Sequence, residues 1–236
     1  MDFENGYVLP VDKPYGWTSA DVVRKVKALV KRYTGKKNIK VGHAGTLDPL
    51  ATGLLIVCIG KATKQSEVLQ AQQKEYIAEI CFGATTPSFD LEKDIDTRYP
   101  YEHITAESLK DTMNKFIGTI EQVPPVFSAK LIDGKRAYEY ARVGEDVQMR
   151  PTLITINQLE LVNYTPPIAE IRVVCSKGTY IRSLARDLGT EANSGAHLVN
   201  LRRTVNGNYH AKDAITIEDF ITMLQSESGN CEQTHQ

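Results

Sequence analysis

The amino-acid sequence predicts an α+β domain, a mixed and largely antiparallel sheet flanked by helices. Strand-like and helix-like segments are interspersed without the regular βαβ alternation of a parallel sheet. Residues 74–82 alternate with a period of two, placing Tyr76, Ala78, Ile80 and Phe82 on one face of a half-buried strand. Val22, Val23, Val26, Leu29 and Val30 fall within one helical stripe. The chain has 236 residues, 42% of them hydrophobic, so it can bury a core of its own.

The remaining elements follow in order. Residues 7–12 read as a short strand entering the turn Lys13-Pro14-Tyr15-Gly16, and Thr18 or Ser19 can cap the helix carrying the valine stripe. The apolar run Leu54–Ile59 reads as a buried strand. Residues 84–103 are acidic and contain Pro and Thr, which predicts a loop. Thr105 caps a helix with Leu109, Met113, Phe116 and Ile117 on one side, closed by Gly118. Pro124-Pro125 breaks the chain, and Ala137 to Val143 reads as a short helix. Strands are expected at 153–163 and 168–175, separated by Pro166-Pro167, then a helix from near Thr179 to Gly189. Thr216 and Asp219 stand at capping-box spacing before Phe220, Ile221 and Leu224. Residues 1–224 are thus expected to form one domain and 225–236 a polar, disordered tail.

No apolar run approaches the roughly 20 residues needed to span a bilayer, and the N-terminus lacks a signal-peptide pattern. A cytoplasmic protein with no membrane partner is expected. Cys58, Cys81, Cys175 and Cys231 form no C-x-x-C pair and have no histidine at zinc-finger spacing, so free thiols and no metal site are expected. The net charge of -1 hides a polarised distribution: Arg24, Lys25, Lys27, Lys31, Arg32, Lys36, Lys37 and Lys40 fall in one acid-free stretch. A local field of that kind suits a polyanion, although a solvated helix face is the commoner use of a charge run.

G-x-x-x-x-G-K-[ST], G-x-G-x-x-G and G-x-S-x-G are all absent, so phosphate-loop, dinucleotide and hydrolase readings have no support. The run Gly42-His43-Ala44-Gly45-Thr46-Leu47-Asp48-Pro49-Leu50 sets a carboxylate between glycine-bearing turns. Read locally, a structural Asx turn competes with a catalytic carboxylate.

Gly42 through Leu55 as a whole resembles the signature of the TruB family of pseudouridine synthases, which convert the uridine at position 55 in the T-loop of tRNA to pseudouridine. Collinear matches extend the resemblance over residues 6–210: Asp12-Lys13-Pro14 with Gly16, Lys74-Glu75-Tyr76, Pro124 to Lys130, Ser176 to Arg182, and Gly195-Ala196-His197-Leu198 with Leu201-Arg202-Arg203. The resemblance implies a pseudouridine synthase fold and Asp48 as nucleophile. It implies Arg182 as the arginine that pairs with that carboxylate, and Tyr76 as the aromatic platform for a flipped base. Tyr180 is implied beside the base, where a phenol could assist proton removal at C5. His43 would fill the gap left by the flipped uridine, and Leu201 would line the uracil pocket. Lys13, Lys64, Lys130, Arg202 and Arg203 are candidates for phosphate contact, which positions RNA without selecting a base.

The isomerisation has no net redox change, so no cofactor is implied. The implied partner is the T-arm of tRNA, without a guide RNA, and a monomer is the simplest oligomeric expectation. Two features depart from the family's usual pattern. The chain ends soon after Lys212, with room for one helix rather than a C-terminal RNA-binding appendage, and the loop Gly83–Lys93 reads Thr86-Pro87-Ser88, then Asp90 and Lys93. A guide-dependent subunit and a non-catalytic RNA-binding module are the rival readings.

Overall fold

The computed structural model describes residues 1–128, 131–132, 135–137, 140 and 148–232. The main sheet has the strand order β1-β3-β12-β4-β11-β10-β7, formed by β1 (Tyr7–Lys13), β3 (Ala51–Ile59), β12 (Ala196–Asn206), β4 (Lys74–Phe82), β11 (Ile168–Cys175), β10 (Thr152–Thr165) and β7 (Gly118–Gln122). The chain divides into two units, Met1–Glu75 with Arg202–Gln236 and Tyr76–Leu201.

In the first unit β1 pairs antiparallel with β3 from Tyr7↔Ile59 to Lys13↔Gly53, and β2 (Val41–His43) also pairs antiparallel with β3. Eight of the nine β3 residues are buried, which explains a continuous apolar run where a half-exposed strand would alternate. α1 (Ser19–Thr34) buries Ser19, Val22, Val26 and Val30, and a short helix, α2 (Ser66–Ala71), follows β3. Thr18 rather than Ser19 is its cap: the Thr18 hydroxyl accepts from the Asp21 N–H, and the Asp21 carboxylate accepts from the Thr18 N–H. Arg24, Lys25, Lys27, Lys31 and Arg32 are exposed along the opposite arc.

The last helix, α5 (Ile217–Glu232), starts at the expected Thr216–Asp219 box. It continues well into the stretch read as a polar tail, because Phe220 and Leu224 are buried and anchor it. Phe220 lies edge-on to Phe3 at 6.2 Å, and Phe3 edge-on to Tyr33 at 5.7 Å.

In the second unit the buried and half-buried residues of β4 alternate as its sequence predicts. β10 and β11 pair antiparallel, with register shifts at Ile156/Gln158 and Leu161/Asn163. α3 (Ala106–Asn114) starts at the Thr105 cap but ends before Gly118. Gly118, at φ +108°, instead opens β7, which pairs with β10. The loop expected at 84–103 contains one short antiparallel pair, β5 (Ala84–Thr85) with β6 (Thr97–Arg98), and a second such pair joins β8 (Leu131–Ile132) to β9 (Lys135–Arg136). α4 (Ile181–Glu191) matches the expected helix within two residues. Most of the helix expected at 137–143 lies outside the described residues.

Among the described residues no helix is long and apolar enough to cross a membrane, and no three His, Cys, Asp or Glu side chains converge as a metal-ligand set. Among the described residues Cys58, Cys81 and Cys175 form no disulfide.

Candidate active site

Asp48 lies on the loop between β2 and β3 and is half-buried. The backbone conformation of this loop requires glycine at two places. Gly45 adopts φ +101° and Gly53 φ +95°, and a Cβ on Gly53 would sit 2.3 Å from the Arg203 carbonyl oxygen. The residues flanking Asp48 are held by buried polar side chains. The Ser19 hydroxyl donates to the Leu47 carbonyl at 3.0 Å and accepts from the Leu47 N–H at 2.8 Å. On the other side, the Lys13 ammonium donates to the carbonyls of Pro49 at 3.3 Å, Trp17 at 2.6 Å and Pro14 at 3.0 Å.

Lys13 is fully buried. Its ammonium is spent on three backbone carbonyls at the base of the Asp48 loop rather than presented at the surface, where a phosphate contact was expected. Burial pushes the ammonium down to about 8, while the Asp48 carboxylate raises it and the Arg203 guanidinium lowers it further. Arg203 is likewise buried and faces backbone carbonyls. Arg202 is engaged by both carboxylate oxygens of Asp12, at 3.0 and 2.8 Å. Of the phosphate candidates, Lys64 is exposed, at the end of a 3₁₀ turn, and Lys130 lies outside the described residues.

His43 ends β2. Burial, and then the Arg203 guanidinium, hold its imidazole below the ordinary histidine range, opposed by the nearby Gly45 backbone. Its Nδ1 is buried and makes no well-formed hydrogen bond among the described residues.

In the second unit Tyr76 is buried on β4 and Leu201 on β12. Tyr180 is the N-cap residue of α4 and has no side-chain cap bond. The buried Gln122 amide fixes its main chain from both sides: Oε1 accepts from the Tyr180 N–H at 2.9 Å, and Nε2 donates to its carbonyl at 3.1 Å. Arg182, one turn into α4, is buried and donates to the carbonyls of Phe127 at 2.9 Å and Ser88 at 3.4 Å. Its Nη1 also lies 3.6 Å from Asp90 Oδ2, both side chains being almost fully buried.

In the sequence, Asp90 stands out only as part of an unusual loop. Three features place it against Arg182. The Asp90 carbonyl accepts from the hydroxyls of Thr86 at 2.6 Å and Ser88 at 3.3 Å, and Phe89 takes a left-handed φ of 62°. The Phe89 ring also packs 4.7 Å from the Arg186 guanidinium. No local signal separates Asp90 from the other acids of that loop. Gln122 and Ser19 were missed for the same reason, since each acts on a backbone distant in sequence.

Comparison with known proteins sets these features in context. A family model described as TruB family pseudouridylate synthase (N terminal domain) matches residues 31–181. One described as tRNA pseudouridylate synthase B C-terminal domain matches residues 182–234. The chain is 55% identical over 227 residues to tRNA pseudouridine synthase B of Phocaeicola vulgatus, covering 96% of this chain and 97% of that one. It is 42% identical to the protein of the same name from Clostridium kluyveri, covering 89% and 71%. Among solved structures, a chain of a Cbf5-Nop10-Gar1 complex superimposes with a TM-score of 0.68 and 29% identity, over 91% of this chain. This chain spans about half of that longer one, 53%.

The family models and these relatives define the class, a pseudouridylate synthase, and the mixed, largely antiparallel sheet agrees with it. The two family models together match residues 31–234. The chain belongs to the TruB family.

Proposed function

We propose that this chain isomerises uridine to pseudouridine at position 55 in the T-loop of tRNA, with Asp48 as nucleophile and without a guide RNA. That it is an isomerase acting on tRNA rests on one observation above all, its 55% identity over 96% of its length to a tRNA pseudouridine synthase B. The reaction breaks the N1–C1′ bond and forms C5–C1′, while C5 loses a proton and N1 gains one. Electrons balance without an oxidant or cofactor.

Asp48 supplies the carboxylate, either to C6 of the uracil or to C1′ of the ribose. Both routes need it ionised beside the sugar–base bond. Tyr76 offers a face to the extracted base, compensating for stacking lost on flipping. Leu201 lines the base pocket, Tyr180 stands beside C5, and His43 takes the space the uridine vacates. Arg182 supplies the fixed cation. The protein acts on the T-arm in the cytoplasm.

The test uses purified protein, an unmodified tRNA transcript carrying tritium at C5 of its uridines, and no other RNA. Tritium should pass to water, and chemical probing should map pseudouridine to one T-loop uridine. Unchanged transcript would overturn the reading, and modification that appears only with an added guide RNA would overturn its guide-free part.

The exposed basic arc of α1 supports an RNA backbone contact. Reversing the charge of both Lys27 and Lys31 should make tRNA binding less salt-dependent, the log–log slope falling by roughly one per lost phosphate contact. An unchanged slope would mean the arc is only solvated.

A further inference from the structure

We infer that Arg203 is a positioning residue that holds the Asp48 loop in its reactive shape. The inference rests on the reading of Asp48 as nucleophile. Arg203 lies on β12 and is 1% exposed. Its Nε donates to the Leu54 carbonyl at 2.7 Å, its Nη2 to Gly45 at 3.1 Å and its Nη1 to Thr46 at 3.4 Å. Gly45 and Thr46 precede Asp48, and Leu54 follows it. One rigid, planar fork therefore ties both ends of the loop to a single plane.

Packing alone does not explain the arginine. A buried guanidinium is costly without compensation, and among the described residues no carboxylate pairs with Arg203. An apolar side chain of similar volume would fill the space and spare the desolvation of the charge, but it would leave three backbone carbonyls without this donor. What it would lose is the grip that ties two carbonyls of this loop, Gly45 and Thr46, to the Leu54 carbonyl on β3. The grip is continuous along the loop: Arg203 holds Gly45 and Thr46, Ser19 holds Leu47, and Lys13 holds Pro49. Asp48 is left between fixed neighbours. The Arg203 main chain adds to this, because its carbonyl occupies the space a side chain at Gly53 would need. The Arg203 charge is also felt on either side of the loop, at His43 and Lys13.

The experiment compares Arg203→Met and Arg203→Lys with the wild type, measuring single-turnover tritium release at saturating tRNA, tRNA affinity and urea unfolding. With Arg203→Met, the rate should fall about 100-fold, since displacing a reacting group by about 1 Å costs that much. Affinity for tRNA should stay within about threefold, because the guanidinium faces carbonyls and not the RNA. Arg203→Lys keeps the charge but not the fork, and should give an intermediate rate. A Met variant that releases tritium at the wild-type rate overturns the inference. So does a loss carried wholly by weaker tRNA binding. If the Met variant fails to unfold cooperatively, the Lys variant decides: a slower rate at unchanged affinity supports positioning, and the wild-type rate overturns it. A wild type that releases no tritium removes the catalytic reading itself, and this inference with it.

Discussion

Asp48→Asn is expected to abolish tritium release, by at least ~10³-fold, while tRNA binding stays within a factor of about two. The amide has nearly the shape of the carboxylate, so the turn should persist. Its neighbours are held through their backbone and not through the Asp48 side chain: Ser19 grips Leu47, Lys13 grips the Pro49 carbonyl, and Gly45 and Gly53 keep their left-handed conformations. What the substitution removes is charge and nucleophilicity. A neutral amide can neither form the acylal-type bond to C1′ nor add to C6. Base flipping and phosphate contacts do not need it. Full activity in Asp48→Asn would mean that another group attacks. A folded variant that no longer binds tRNA would mean that Asp48 serves recognition instead. Dialysis against wild-type tRNA concentrations and a urea melt separate the two.

The parts of the fold written in local pattern were legible from the sequence. β4 alternates, β3 is uniformly apolar, and α1 carries its valine stripe and its cap within a few residues. β7 was not legible, because the glycine at its start reads as a helix stop. It becomes a strand only because β10 offers it an edge, through pairs from Thr152↔Gln122 to Ile156↔Gly118. The site divides the same way. Asp48 stands out through its glycines, whereas Lys13 and Arg203 look like phosphate ligands in a one-dimensional reading. Their burial depends on what β3 and the Asp48 loop lay over them, and nothing near them in sequence reports it. Basic residues are therefore poorly sorted by type alone: burial against backbone carbonyls sets Lys13 and Arg203 apart from the exposed Lys64.

Arg182 should show the second large effect, and a double substitution separates its two roles. Its guanidinium is buried against Asp90 at 3.6 Å and against the carbonyls of Phe127 and Ser88. Arg182→Met leaves the buried Asp90 carboxylate without that cation, a loss of about 3–5 kcal/mol. For a chain of this size that corresponds to a melting temperature lower by roughly 10 °C. Activity should vanish too, but from the single variant alone the loss could be blamed on the damaged fold. Arg182→Met combined with Asp90→Leu removes both charges. Replacing a buried ion pair by apolar side chains is often neutral or stabilising, so the melting temperature should recover most of the way. If Arg182 also supplies the cation that the reacting carboxylate requires, tritium release should stay lost in the double variant. Recovery of activity along with stability would show instead that Arg182 only fastens α4 to the loop that carries Asp90.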